Sequence, residues 1–361
     1  MQKHGQAGRD CLSLRYGGRR LAGDGCQPVG GDTLAGMQAI FAITAPFFAL
    51  VLVGYLAGRM HVLPESVIPG LNAYVLYFAL PCLLFRFGMD TPVLELLNPA
   101  VLAVYLAAGL LLVFFTVALT LNDRIGLKDA AFGALVAVWP NTGFMGVPLL
   151  VALLGPAAAG PVICTVLADL FVTSSLCIAL SQASFDKNGG SGHGARAAVF
   201  RALRAAGANP LPWSIALGAG FSLAGLKTSG PVNAVVQMLA DSASPVALFT
   251  IGTVLWRAGK DVHTRTRVAD YVPVALVKLF LHPLLVVLLA AAARLLGAPL
   301  SVFQISVLML AAALPSASNV SLLAERYGAD SGRVARIIMT STVLSFLSFS
   351  ALAWVFGVQQ R

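Results

Sequence analysis

The chain has 361 residues, of which 58% are hydrophobic and only 11% are charged, with a mean hydropathy of +0.84. Soluble domains carry about 25% charged residues, so this composition excludes a soluble globular protein. The formal net charge of +9 does not call for a nucleic-acid partner, because basic loops are expected beside a membrane. We therefore expect an all-α integral membrane protein whose partner is the lipid bilayer.

Apolar blocks of about twenty residues, enough to cross roughly 30 Å of hydrocarbon, recur along the chain. The predicted spans are 38–57, 67–88, 100–121, 130–154, 161–183, 210–226, 232–256, 271–293, 301–323 and 335–357. The sixth of these ten spans is short, and the fourth and ninth are interrupted by prolines. Residues 1–36 are polar and lack the apolar stretch of a signal peptide, so they are interpreted as a disordered leader or as sequence upstream of a start at Met37.

Lysine and arginine predict the orientation. Fourteen of them lie on the side of the 184–209 connection and only four on the opposite side. Because basic loops stay in the cytoplasm, both ends of the ten-span unit of this multi-pass protein are predicted to lie outside. The polar segment 184–209 is then a cytoplasmic linker between two units, 37–183 and 210–361.

A repeated motif relates these two units. The second span contains PCLLFRFG, from Pro81 to Gly88, and the seventh contains PVALFTIG, from Pro245 to Gly252. Both read P-x-x-L-F-x-x-G, and they lie five spans apart, as do the interrupted fourth and ninth spans. Since an odd number of spans inverts the second copy, the pattern predicts two inverted five-helix repeats, an architecture of many secondary transporters.

The interruptions are the strongest functional signal. The fourth span reads VAVWPNTGFMGVPLL around Pro140, and the ninth reads AAALPSASNVSLLAER around Pro315. Proline frees backbone groups that, at membrane depth, persist only inside protein or along a wet cavity. The polar residues after each proline predict a pocket that tolerates an anion near helix N-termini. These residues are Asn141, Thr142, Ser316, Ser318 and Asn319. Two proline kinks with locally satisfied side chains remain the alternative interpretation.

Several segments together resemble the auxin efflux carrier family. They include PNTGFMGVPLL of span four, ASPVALFTIG of span seven, VKLFLHPLL of span eight and ALPSASNV of span nine. The resemblance extends over about 37–357. It implies ten helices in two inverted repeats, a fold similar to that of bile acid–sodium symporters, with helices four and nine crossing at Pro140 and Pro315.

The same resemblance implies the substrate class and its contacts. The family's carboxylate-binding asparagine after the first crossing proline matches Asn141. On helix nine both Ser316 and Asn319 remain candidates for the second contact. Bacterial members with a short central loop are associated with malonate, malate and other small organic acids, so the resemblance does not establish auxin as the substrate.

Three charged residues lie inside predicted spans: Asp169, Asp241 and Lys278. Such charges are costly in the membrane, and they pair with each other or mark a pathway. The predicted depths of Asp241 and Lys278 differ by roughly 6 Å, so a buried ion pair between them is expected, with a proton-coupling role for Asp241 or Asp169 as the alternative. Asp169 is then the better candidate for a coupling carboxylate, although the coupling ion, a proton or sodium, is left open.

The predicted function is a secondary carrier for small mono- or dicarboxylates that works by alternating access. The alternatives are a channel or facilitated-diffusion pore and, less favoured, an intramembrane enzyme, for which no metalloprotease or serine–histidine motif is present. We expect no metal, cofactor or nucleic acid. The oligomeric state is left open, a homodimer included.

Overall fold

The computed structural model describes residues 32–91, 98–183, 200, 204, 207–260 and 266–356. Most of the predicted leader 1–36 and of the linker 184–209 therefore lies outside the described residues. The described chain is built from helices, which we number in chain order. They are α1 Asp32–Arg59, α2 Val67–Asp90, α3 Pro99–Thr120, α4 Leu127–Val138, α5 Thr142–Leu154, α6 Pro156–Ser181, α7 Pro210–Leu223, α8 Gly230–Lys260, α9 Val268–Leu295, α10 Val302–Ala313, α11 Val320–Arg326 and α12 Ser331–Val355.

Within the described residues, seven helices are long and apolar enough to cross a membrane: α1, α2, α3, α6, α8, α9 and α12. Large apolar side chains on their outer faces are exposed, among them Leu52, Phe114 and Leu288. Such a surface suits lipid and not water. The all-helical, multi-pass membrane class predicted from composition is confirmed. The other three predicted spans correspond to shorter pieces, α4 with α5, α7, and α10 with α11, so the count of ten inverted-repeat spans stays a prediction.

Glycines bring two pairs of helices into backbone contact. A Cβ on Gly54 of α1 would overlap the carbonyl oxygen of Phe249 on α8, and a Cβ on Gly252 would overlap the carbonyl oxygen of Val51. Between α2 and α7, a Cβ on Gly218 would overlap the carbonyl oxygen of Phe85. Small residues permit this close approach, which is the main route to tight packing between helices in lipid.

The two contacts use equivalent positions of the repeated motif. Phe85 and Phe249 occupy its fifth position, and the two partner glycines, Gly54 and Gly218, are likewise 164 residues apart. The motif of α2 thus packs on α7, and the motif of α8 packs on α1. The first helix of each predicted repeat therefore packs against the second helix of the other repeat.

One arginine joins three helix ends at one end of the molecule. Arg333, near the start of α12, donates from Nε to the carbonyl of Asp270 at 2.9 Å and from Nη1 to the carbonyl of Asp129 at 2.8 Å. The Asp129 carboxylate accepts the backbone N–H of Asp330 at 2.8 Å. These bonds fix the first turns of α4, α9 and α12 relative to one another.

We predict that Gly218→Ala destabilises the protein, because the added methyl group would push α7 away from the Phe85 carbonyl. Overpacking of this kind costs about 1–3 kcal/mol. Gly220→Ala on the same helix is the matched control, since a Cβ there meets nothing within 4 Å. Thermal unfolding in detergent micelles measures both variants, and equal melting temperatures would contradict the contact.

Candidate functional site

The first break lies between α4 and α5. Helix α4 ends at Val138, and Trp139 takes an extended conformation before Pro140, which has no N–H to continue the helix. The chain becomes helical again in a wide π-helical turn, Thr142–Gly146, whose last two N–H groups both bond to the Asn141 carbonyl at 3.0 Å. Wide turns of this kind are frequent at functional sites.

The second break lies between α10 and α11. Helix α10 ends at Ala313, Leu314 is extended, and Pro315 follows. The next helix begins only at Val320. Both interruptions therefore fall at the prolines that the sequence singled out.

The two broken segments pair with each other. The N–H of Asn141 donates to the carbonyl of Pro315 at 2.8 Å, and the N–H of Ala317 donates to the carbonyl of Trp139 at 3.0 Å. They form a short antiparallel bridge between Pro140 and Ser316. Backbone groups freed by one proline are thus satisfied by those freed by the other.

Helix α12 completes the arrangement from behind. The Ser341 hydroxyl accepts the N–H of Ser316 at 3.2 Å and lies 3.1 Å from the Ser316 hydroxyl. The Thr142 hydroxyl lies 3.5 Å from the Pro140 carbonyl. Ser316 and Thr142 thus make local contacts within the crossing, as the interpretation of the two prolines as simple kinks predicts.

Two asparagines differ from these hydroxyls. Asn141 is only 3% exposed, and its Oδ1 has no hydrogen-bond partner among the described residues. The Oδ1 of Asn319 is also buried and unpartnered within the same part of the chain. Both line one pocket beside the pairing, together with Thr142, Gly143 and Phe144 at the start of α5. The unpartnered Oδ1 atoms are acceptors, whereas the Nδ2 groups of the two amides and the N–H groups at the start of α5 are the donors that suit an anion.

A second pocket adjoins the first. It shares Asn319, Asn209 and Phe144 with the first pocket, and it is also lined by Ser318 and Arg257. Arg257, near the end of α8, is half-buried and makes no ion pair with another described residue. Sequence reasoning counted Arg257 only as a loop cation. Its position in the helix that carries the repeated motif, shortly after the motif ends at Gly252, was the available signal.

A family of known proteins matches most of the chain. The family model described as membrane transport protein matches residues 39–353. The chain belongs to this family of membrane transport proteins. The match confirms the family resemblance seen in the sequence, and it indicates a transporter at the level of the family.

Several named relatives align with this chain over almost their whole length. A "Putative malonate transporter" of Rhizobium meliloti is 28% identical over 325 residues, which cover 88% of this chain and 96% of the relative. An "Uncharacterized transporter" of Methanothermobacter thermautotrophicus is 28% identical over 301 residues, 83% of this chain and 92% of its own. The "Uncharacterized transporter YfdV" of Escherichia coli K12 is 24% identical over 315 residues, 86% of this chain and 95% of its own.

The predicted ion pair between Asp241 and Lys278 is wrong. Asp241 pairs instead with Arg86 of α2, at 3.3 Å, and its side chain is 64% exposed. Lys278 is fully buried on α9. The predicted depths of the two residues allowed a pair, but depth alone does not determine which neighbour a helical side chain meets.

The structure places Lys278 within electrostatic range of the other candidate, Asp169, although the two side chains form no ion pair within the described chain. The charges of Lys278 and Asp169 interact electrostatically, and both side chains are 0% exposed. Asp169 begins a π-helical turn within α6, and Lys278 lies in another within α9. The two neighbours of Asp169 at positions 166 and 170 line the pocket beside the crossing. The transporter therefore carries a buried acid and a buried base one layer behind the candidate site.

We predict that Ser341→Ala destabilises the transporter, because it leaves the buried N–H of Ser316 without an acceptor. An unsatisfied buried donor costs about 1–3 kcal/mol. Ser348→Ala is the matched control on the same helix, since the Ser348 hydroxyl is buried without a partner among the described residues. Unfolding in detergent should distinguish them, and a Ser341→Ala variant as stable as Ser348→Ala would show that the crossing does not depend on this hydroxyl.

Proposed function

We propose that this protein is a secondary carrier that moves small organic carboxylates across the membrane and binds them at the crossing of the two broken helices. The pairing of the two interruptions is the observation that supports the proposal most directly. It holds two non-helical segments together in the apolar interior, where such segments persist only in protein or beside a cavity. Transporters commonly bind their substrates at such discontinuous helices.

The preference for a carboxylate follows from the donors at the pocket. Helix α5 begins there, so the N–H groups of its first turn have no partner within the helix. The amide of Asn141 can donate to a carboxylate oxygen, and Asn319 can do the same from the other broken segment. Ser316 is occupied by Ser341, which favours Asn319 over Ser316 as the second contact.

Arg257 extends the proposal to dicarboxylates. It lines the adjoining pocket that shares Asn319 and Asn209 with the first, so a ligand held at Asn141 by one carboxylate could direct a second towards the guanidinium. Arginine pairs with carboxylates in a two-pronged geometry that a neutral side chain does not reproduce. The name of one relative, "Putative malonate transporter", refers to a dicarboxylate and supports this substrate class.

Alternating access is the proposed mechanism. The exchanged packing of α1 on α8 and of α7 on α2, with both motif copies in equivalent contacts, supports two related halves that move against each other. We further propose a bacterial inner membrane location with both ends of the unit outside, as the distribution of basic residues indicates. A homodimer is compatible with this arrangement.

We predict that Asn141→Ala weakens carboxylate binding by about 10- to 100-fold, the loss expected for one hydrogen bond to a charged group. Calorimetry on the purified protein against a panel of mono- and dicarboxylates measures the effect, with the melting temperature as the control for folding. Binding at the affinity of the wild type would remove Asn141 from the site. Transport that does not saturate and shows no counterflow would favour a channel.

We predict that Arg257→Gln weakens binding of dicarboxylates by about tenfold or more and leaves binding of monocarboxylates nearly unchanged, because it removes a contact to the second carboxylate only. Arg257→Lys should retain part of the affinity. Arg59→Gln, at the exposed end of α1, is the matched control for loss of a cation. An equal loss for both ligand classes would contradict the two-ended site.

A further inference from the structure

A buried polar cluster lies behind the crossing, formed by Tyr105 of α3, Asp169 of α6, and Lys278 and His282 of α9. The Tyr105 hydroxyl donates to Asp169 Oδ2 at 2.9 Å, and Lys278 Nζ lies 3.1 Å from His282 Nδ1. The rings of Tyr105 and His282 are 5.7 Å apart. All four side chains are at most 1% exposed. The backbone bonds that pair Asn141 with Pro315 and Ala317 with Trp139 involve none of these four side chains.

Lys278 joins this cluster to the backbone of the broken helix. In a continuous helix the N–H of Ser316 would bond to the carbonyl of Ala312. Here that N–H goes to Ser341, and the Ala312 carbonyl instead accepts Lys278 Nζ at 2.8 Å. A buried cation thus holds the chain three residues before the crossing proline, Pro315. A rearrangement of the crossing would alter the surroundings of Lys278.

Asp169 joins the cluster to the substrate pocket. Val166 and Leu170, on the same helix, line the pocket beside Asn141. While Asp169 is ionised, it contributes a negative charge to the cluster, and this charge opposes the binding of an anion in the nearby pocket. Protonation of Asp169 removes this negative charge from the cluster. An anion in the pocket and a proton on Asp169 therefore favour each other.

We propose that this cluster is a proton-binding site that couples proton uptake to substrate binding, so that the carrier moves a carboxylate together with a proton. The inference rests on the proposed carboxylate transport. The proton adds to Oδ1 of Asp169, which has no hydrogen-bond partner among the described residues, while Tyr105 holds Oδ2. One O–H bond forms on entry and breaks on release, and no other reactant is involved. By linkage, the proton raises carboxylate affinity by the same factor as the carboxylate raises proton affinity.

The titratable surroundings are limited. Within the described chain, Asp169 interacts electrostatically with Lys278, Tyr105 and Cys177, and Lys278 interacts with Asp169 and His282. Helices α4 and α12 also pack near Lys278, and their charged residues lie in the first two turns. These residues are Lys128, Asp129, Arg333 and Arg336. Helix α10 contributes only the Ala312 carbonyl to the contact with Lys278.

The test measures proton uptake and carboxylate binding on the same purified protein. Malonate is added to wild type in weakly buffered solution with a pH indicator, and its affinity is measured over a pH range in which the free ligand stays fully ionised. We expect proton uptake on binding and an affinity that rises as pH falls, by about tenfold per pH unit at the limiting slope for one linked proton. Asp169→Asn should still bind malonate, with an affinity independent of pH and no proton uptake.

Two further variants keep the test decisive. If Asp169→Asn does not fold because it strands Lys278, the doubly neutral Asp169→Asn/Lys278→Gln replaces it, with the same expectation of pH-independent binding. Asp241→Asn is the matched control, because it removes an exposed carboxylate that belongs to the Arg86 pair and should retain the full proton response.

The outcomes separate the two proposals. Malonate binding without proton uptake in wild type, or a normal proton response in the variant that lacks Asp169, overturns the coupling and leaves the carboxylate site standing. If neither malonate nor any other carboxylate of the panel binds to wild type, the proposed function fails and the coupling fails with it.

Discussion

The requirement that every backbone polar group find a partner inside the apolar interior governs this molecule. Each proline removes one N–H and leaves a carbonyl unpaired, and an isolated break at membrane depth would cost several kcal/mol per orphaned group. This cost is avoided because the two broken segments pair with each other. The N–H of Asn141 donates to the Pro315 carbonyl, and the N–H of Ala317 donates to the Trp139 carbonyl. The remaining groups are satisfied by Ser341 and by Lys278. The Oδ1 atom of Asn141 is left without a partner among the described residues, and Asn141 lines the pocket.

The same requirement connects the site to the rest of the protein. Helix α12 supplies Ser341, and its first turn is fixed by Arg333 to the starts of α4 and α9. Helix α9 in turn supplies Lys278. The crossing is therefore held by helices that are themselves joined at one end of the molecule, which provides a mechanical route between the pocket and that end.

The sequence was sufficient for features that depend on single residues or on local pattern. Blocks of apolar residues predicted the long helices, and Pro140 and Pro315 predicted the breaks, because the chemistry of proline acts where the residue stands. Contacts between helices were harder to predict from the sequence. The pairing of Asp241 with Arg86, the role of Ser341 and the position of Arg257 depend on how helices rotate about their axes, and single-sequence depth counting carries no information on that. A signal was nevertheless present for the helix pairs: the 164-residue offset of the motif also relates Gly54 to Gly218, and it could have been found by searching outside the motif itself.

The glycine contacts have a consequence for how the two halves depend on each other. Gly54 and Gly88 lie on the first half of the chain, but each meets a helix of the second half. The first half made alone would therefore expose two grooves of bare backbone to lipid, each shaped for a helix that it does not possess. An inverted second copy of the same half offers glycine and phenylalanine at the equivalent places and could fill both grooves. Within one continuous chain, the interlocked halves instead act as an internal dimer whose interface is fixed by covalent linkage, and damage to either half would deprive both of a packing partner.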